Sequence, residues 1–141
     1  MTPSPTPAQL AGRCYCGAVH YTVSDSFEYA LNCHCSNCRR TTGSAFKPLA
    51  GIAIERLRVT QGAASLLRHG GAGATDSADL HCARCGSLLY SVVRDGRYAH
   101  VAMGTLADAP SIRPSAHIFV GSKAPWFEIT DTLPQYDGHV T

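Results

Sequence analysis

Seven cysteines fall in three tight groups along this 141-residue chain: Cys14 and Cys16, then Cys33, Cys35 and Cys38, then Cys82 and Cys85. No other feature restricts the accessible folds as much. The count is odd, and the opening MTPSPTPAQL carries neither a basic n-region nor an apolar h-region. Both facts argue against a secreted disulfide framework and for reduced thiols that bind metal or do redox chemistry. The expected location is cytoplasmic.

Each group has a geometry of its own. "HCARCGS" places Gly86 after Cys82-x-x-Cys85, the form of a zinc knuckle, in which glycine accommodates the tight backbone. The flanking "DL" and "SLLYSVV" put the knuckle at the tip of a hairpin. A knuckle gives two ligands, and structural zinc takes four. "GRCYCGAV" offers another two: on a strand, residues i and i+2 share a face, so Cys14 and Cys16 reach one metal while Tyr15 turns away. Cys14, Cys16, Cys82 and Cys85 then form a closed structural site. Zinc in such sites contributes about 10–16 kcal/mol of apparent binding energy in small peptides.

Cys33, Cys35 and Cys38 remain. Three protein ligands and one free position are the pattern of catalytic zinc. Spacing alone leaves alternatives open. Another cysteine pair could complete the knuckle, and His34, His81, His100 or His117 could close the second site. His34 lies between two ligands and points the other way in extended backbone. A redox dithiol at Cys82 and Cys85 has no βαβ pattern to support it.

The rest of the chain reads as short strands between turns. "AVHYTV" alternates, with Val19, Tyr21 and Val23 on one face; "GIAIERLRVTQG", "SLLYSVV", "YAHVAMG", "AHIFVGS" and "WFEITD" carry further strand signals. The best helical segment runs from Ser36 to Thr42, and "HGGAGATDSAD", His69 to Asp79, reads as a flexible glycine-rich loop. The expected class is mostly β: antiparallel strands with short helical turns, stapled by two zinc ions per chain. Residues 1–11, with Pro3, Pro5 and Pro7, read as a disordered tail, residues 12–137 as one zinc domain, and residues 138–141 as a C-terminal tail. Seven thiolates and two zinc ions subtract seven from, and add four to, the formal charge of +2, leaving −1. That balance, and the absence of a basic stripe with interleaved aromatics, speaks against a nucleic-acid partner. No apolar run approaches the roughly 18 residues of a membrane span. The sequence does not set an oligomeric state.

In order along the chain, "GRCYCGAVHYTV", "CHCSNCRRTTGSAF", "CARCGSLL", "GTLAD", "HIFVGSKAPWFEI" and "DTLPQY" resemble the glutathione-dependent formaldehyde-activating enzyme family, whose CENP-V/GFA-type domain also occurs in a centromere-associated protein. The resemblance covers Gly12 to Tyr136 and implies a compact, zinc-stapled Mss4-like fold. It implies a structural zinc on Cys14, Cys16, Cys82 and Cys85, and a catalytic zinc on Cys33, Cys35 and Cys38. It also implies a carbon–sulfur lyase activity, in which a small-molecule thiol, glutathione in the family, joins formaldehyde as S-(hydroxymethyl)glutathione. Arg39 and Arg40 are candidates for the thiol's carboxylates, and Ser44 for a further substrate contact. His117 and Trp126 match family positions and read by default as a packed histidine and a core tryptophan. Just before the knuckle the family carries a basic residue and then an aromatic. Here "SADLHC" puts Asp79 and His81 there, and an acid near the site disfavours an anionic ligand. A zinc-stabilised binding module without catalysis is the competing expectation, and metal buffering or thiol redox sensing a third.

Overall fold

Alternating burial along most strands shows why the chain forms sheets: β2 buries Tyr21 and Val23 and turns Thr22 outward, and β9 buries Ala99 and Val101 between half-exposed neighbours. The computed structural model describes residues 6–71, 73 and 75–140. Its strands are β1 (Gln9–Arg13), β2 (His20–Ser24), β3 (Tyr29–Cys33), β4 (Lys47–Ala53), β5 (Leu57–Gln61), β6 (Leu66–Gly70), β7 (Ala78–Cys82), β8 (Leu88–Val93), β9 (Tyr98–Ala102) and β10 (His117–Ile118). An α-helix, α1 (Ser36–Thr42), follows β3. The expected class, mostly antiparallel β with short helical turns, is the class observed.

The strands form two sheets. β1, β2 and β5 make the smaller, and the larger runs β10-β3-β4-β9-β8-β7-β6. Among the described strands every pairing is antiparallel except that of β10 with β3. The main core lies between the sheets: Leu10, Val19, Tyr21 and Val23 meet Ile52, Leu80, Tyr90, Val92, Ala99 and Val101. Each leucine, isoleucine or valine among them contributes about 1.5–3 kcal/mol when fully buried. β4 passes through the middle of the large sheet and is buried on both faces. Its alternation sends Ile52 into this core, while Leu49 joins a second cluster with Cys33 and Ile118. That second face carries the chemistry described below.

Several boundaries differ from those expected. β1 begins at Gln9, ahead of Gly12, because Leu10 is a core residue; Pro3 and Pro5 lie outside the described residues. The C-terminal stretch is held at its start, since Phe119 donates its N–H to the Gly138 carbonyl at 2.9 Å and its ring meets His139 edge-on at 4.7 Å. His69, Gly70, Ala78 and Asp79 belong to the β6–β7 ladder, not to a loop. The shorter connection that remains is gathered by Arg68, which donates to the carbonyls of Gly71, Gly73 and Asp76; Ala72 and Ala74 lie outside the described residues. "GIAIERLRVTQG" divides between the two sheets at a 3₁₀ turn, Ile54–Arg56. "AHIFVGS" supplies only two strand residues before Phe119 turns into the left-handed region at φ 55°. "WFEITD" forms no strand. Its Phe127 donates its N–H to the Ala124 carbonyl in a turn that buries Ala124 and leaves Trp126 71% exposed, so the expected core tryptophan is a surface residue.

Candidate functional site

The knuckle at Cys82 and Cys85 sits at the β7–β8 turn, as its flanks imply. Cys82 and Ser87 pair through the Cys82 N–H, and Gly86 donates back to the Cys82 carbonyl at 2.7 Å. Gly86 takes φ 82°, which a Cβ would strain. Cys14 and Cys16 face the same metal position by a different route from the expected one. They occupy the turn between β1 and β2, closed by Gly17 N–H to the Cys14 carbonyl at 3.2 Å, rather than successive strand positions. Tyr15 turns away, 87% exposed. The four sulfurs lie within 4.8 Å of one another, an arrangement that could hold a metal ion. Ser87 joins the two turns: its hydroxyl accepts from the Tyr15 N–H at 2.9 Å and lies 3.2 Å from the Cys85 sulfur. That contact is the main reason the Cys85 thiol is pulled down to about 5.

The second cluster is local. Cys33 ends β3, Cys35 caps the N-terminus of α1, and Cys38 lies one turn into the helix, its N–H donating to the Cys35 sulfur at 3.2 Å. These three sulfurs also lie within 4.8 Å of one another. A hydrogen bond from Cys38 is the first cause that lowers the Cys33 thiol to about 6, and the same bond drives Cys38 upward. Convergent soft donors, one of them readily ionised, suit a divalent metal.

Among the described residues none of the four histidines considered as a fourth ligand joins this cluster. His34 is fully buried and points to the opposite side from its cysteine neighbours. Its Nε2 is 2.8 Å from His117 Nδ1, and His117 Nε2 is 2.9 Å from the Asp131 carboxylate. Read outward from the carboxylate, His117 donates to Asp131 and His34 donates to His117, leaving His34 Nδ1 as a buried acceptor with no partner. Burial lowers His34 to about 4, with the His117 ring adding to the effect. Phe46 packs on the His34 ring at 4.9 Å. This column behind the cysteine loop fixes its backbone, and it makes His117 the packed histidine that was expected. His81 contacts the Gly86 carbonyl at 3.1 Å and so braces the knuckle, and His100 Nε2 meets the Tyr29 hydroxyl at 2.6 Å.

A cleft of about 200 Å³ opens beside Cys33 and Cys38, lined also by Lys47, Asp79, Ser91 and His100. An adjoining cleft of about 390 Å³ shares Asp79 and Ser91 and reaches Arg40. Ser44 lines a third, of about 460 Å³, that runs towards Tyr15 and Ser87. Arg39 is half-buried with its Nε unpartnered. Asp79 is not a loose acid before the knuckle: it accepts a hydrogen bond from Ser91 at 2.6 Å, and Ser91 accepts one from Lys47 at 2.9 Å. Sequence reasoning missed Lys47, Ser91 and Asp131. A lysine inside the otherwise apolar "FKPLAGIAI" was the available signal for the first; for the other two there was none.

The architecture is that of a two-sheet β protein with one four-cysteine and one three-cysteine cluster, each able to hold a metal ion. The chain belongs to the glutathione-dependent formaldehyde-activating enzyme family, whose model matches residues 9–122, beginning where β1 begins. It is 32% identical over 136 residues to a Halomonas elongata protein provisionally named as a glutathione-dependent formaldehyde-activating enzyme, covering 85% of this chain and 80% of that one. A Rhodobacter sphaeroides protein of known crystal structure is similar at 29% identity and a TM-score of 0.58, over 72% of this chain and 91% of that chain.

Proposed function

We infer that this chain is a zinc-dependent carbon–sulfur lyase that joins a small-molecule thiol, glutathione or a relative, to formaldehyde or a similar small electrophile. The observation that carries the reading is the three-sulfur cluster at the edge of a cleft, with no fourth protein ligand among the described residues. Membership of the family supports the substrate class. Cys14, Cys16, Cys82 and Cys85 would hold one zinc, and Cys33, Cys35 and Cys38 the other. Zinc held by Cys33, Cys35 and Cys38 would supply Lewis acidity that favours an ionised thiol at neutral pH.

The protein's own groups do the rest. The His34–His117–Asp131 column fixes the loop that carries the three sulfurs. Arg40, which lines the outer cleft, would pair with a carboxylate of the thiol, and the small inner cleft suits a compact electrophile. Ser44, in the third cleft, and Arg39, which lines none of the three, would be further contacts to a peptide-like thiol.

Cobalt substitution tests the reading, because its visible spectrum reports sulfur ligation. Glutathione is expected to change the spectrum of the three-cysteine site, and Cys38→Ser to abolish the response. Adduct formation with formaldehyde, measured above the uncatalysed rate, should depend on the same thiol. If no thiol perturbs the spectrum, the enzyme reading fails and a zinc-stabilised binding module takes its place.

A further inference from the structure

One buried charge has no part in the chemistry so far. Lys47 is 5% exposed, yet lysine is almost never fully buried unless paired. Its position follows from strand alternation. Lys47 and Leu49 share the face of β4 that looks away from the main core, and Lys47 stands directly across from Cys33 in the β3–β4 pairing. On the same face β8 presents Ser91 and β7 presents Asp79, opposite one another in register. The Lys47 amine donates to Ser91 at 2.9 Å and Ser91 donates to Asp79 at 2.6 Å. Asp79 therefore balances the lysine through a hydroxyl, and Ser91 takes only one of the three donors a lysine carries. All three residues line the inner cleft with Cys33 and Cys38.

We propose that Lys47, held in place by Ser91 and Asp79, receives the oxygen of the electrophile, and that Asp79, by neutralising the lysine, leaves a cleft that admits only small uncharged aldehydes. This rests on the thiol–aldehyde reading given above. The thiol loses its proton to solvent on binding. Its sulfur attacks the carbonyl carbon, the C–S bond forms, and the π pair of C=O moves to oxygen. That oxygen meets an Nζ–H of Lys47 and takes one proton from solvent. The sum is thiol plus aldehyde giving hemithioacetal, with no oxidant or reductant. A fixed donor aimed at an oxygen that gains charge only during reaction stabilises the transition state more than the ground state. The selectivity is electrostatic. The lysine and aspartate charges cancel, and three thiolates holding one divalent ion would leave the site net negative, so an aldehyde bearing a carboxylate would be repelled.

The experiment uses the full-length, metal-loaded protein with glutathione as thiol, and compares Lys47→Met, Lys47→Arg and Asp79→Asn with the parent. Lys47→Met is expected to lower kcat for formaldehyde by about 10²–10³. Its cobalt spectrum should respond to glutathione at the same concentration as the parent, since thiol binding does not use Lys47. The parent should prefer glycolaldehyde to glyoxylate, which match in size and differ in charge. Asp79→Asn should raise the glyoxylate-to-glycolaldehyde ratio of kcat/KM by about tenfold, removal of one negative charge being worth roughly 1 kcal/mol or more at such range. Turnover by Lys47→Met within twofold of the parent overturns the proposal, as does equal use of the two aldehydes by the parent. Should Lys47→Met fail to fold, Lys47→Arg and Asp79→Asn decide: a folded arginine variant with restored turnover and a shifted aldehyde ratio supports the proposal, and an unshifted ratio overturns it. Absence of any thiol response in the parent removes the thiol reading and this proposal together. A normal response with no Lys47 effect removes this proposal alone.

Discussion

The two cysteine clusters differ less in their sulfurs than in where the chain brings those sulfurs from. The four-cysteine cluster joins turns far apart in sequence, Cys16 and Cys82 being 66 positions apart, and it pins the small sheet to the large one at the β7–β8 turn. The three-cysteine cluster takes all its sulfurs from the end of β3 and the first turn of α1. Linking distant segments removes loop-closure entropy from the unfolded chain, while linking near neighbours removes little. With a metal bound, the first cluster would thus hold the fold together. The second is supported by structure that stands without it: the β3–β4 pairing, β10 alongside, and the buried His34–His117–Asp131 column. A metal held there would not be needed by the fold and would be free to bind something else.

The largest effect expected follows directly. Cys85→Ser should unfold the domain or make it insoluble, because metal binding at closed sites is worth about 10–16 kcal/mol, comparable to a typical domain's entire stability. Cys38→Ser should melt within about 1 kcal/mol of the parent, having lost only a local link. Circular dichroism melts of the two proteins, purified side by side, make the comparison. Equal damage from both substitutions would mean that the three-cysteine cluster also holds the fold, and the contrast would be broken.

Much of this contrast was legible in the sequence. Cysteine spacing alone suggested four sulfurs and three, and α1 runs from Ser36 to Thr42, the segment its sequence marked out. Val19, Tyr21 and Val23 share the buried face that their alternation indicated. Less visible was whatever depends on neighbouring strands. Asp79 read as an acid that would repel an anionic ligand, because its hydrogen-bonded connection to Lys47 through Ser91 exists only once β4, β9, β8 and β7 are laid side by side. Asp131 lay in "WFEITD", whose β-rich composition suggested a strand. Lys123 instead donates to the Ala124 and Phe127 carbonyls, the segment turns, and Asp131 comes to lie against His117. Composition signals the local preference of a segment and carries no information about which distant backbone will compete for it.

A smaller effect sharpens the comparison from the closed side. Ser87 holds both turns of the four-cysteine cluster, through the Tyr15 N–H and the Cys85 sulfur. Ser87→Ala should cost about 0.5–1.5 kcal/mol, the net value of a hydrogen bond whose exposed Tyr15 donor can turn to water. It should also speed metal loss from that cluster by about 10–100-fold, the usual consequence of removing a group that supports a metal ligand. Release into a chromogenic chelator gives the rate. The thiol response of the cobalt-loaded three-cysteine site should not change. If Ser87→Ala alters that response, the two clusters are coupled rather than independent.

The smallest effect concerns acid and the face on which the three-cysteine cluster lies. His100 sits on that face, hydrogen-bonded to the Tyr29 hydroxyl at 2.6 Å, and burial, with the charges of Lys47 and Arg94 adding, pushes it down to about 4. The unfolded chain would titrate this ring near 6.5. Above that value both states hold it neutral, and its contribution to stability is intact. Between 6.5 and 4 the unfolded state takes up a proton that the folded state refuses, so stability falls as pH falls through that window. The full shift corresponds to about 2 kcal/mol at pH 5, and partial exposure reduces it to roughly 1–2. His100→Gln removes the titration and keeps a hydrogen-bond partner for Tyr29. Urea unfolding at pH 7.5, 6 and 5, with zinc at saturation, should show the parent losing about 1–2 kcal/mol more than the variant over this range. Protonation of the cysteine ligands is common to both proteins and cancels in the difference. Parallel curves would show that the proton goes elsewhere, and that the face beside the three-cysteine cluster is no more acid-sensitive than the face that the four-cysteine cluster holds shut.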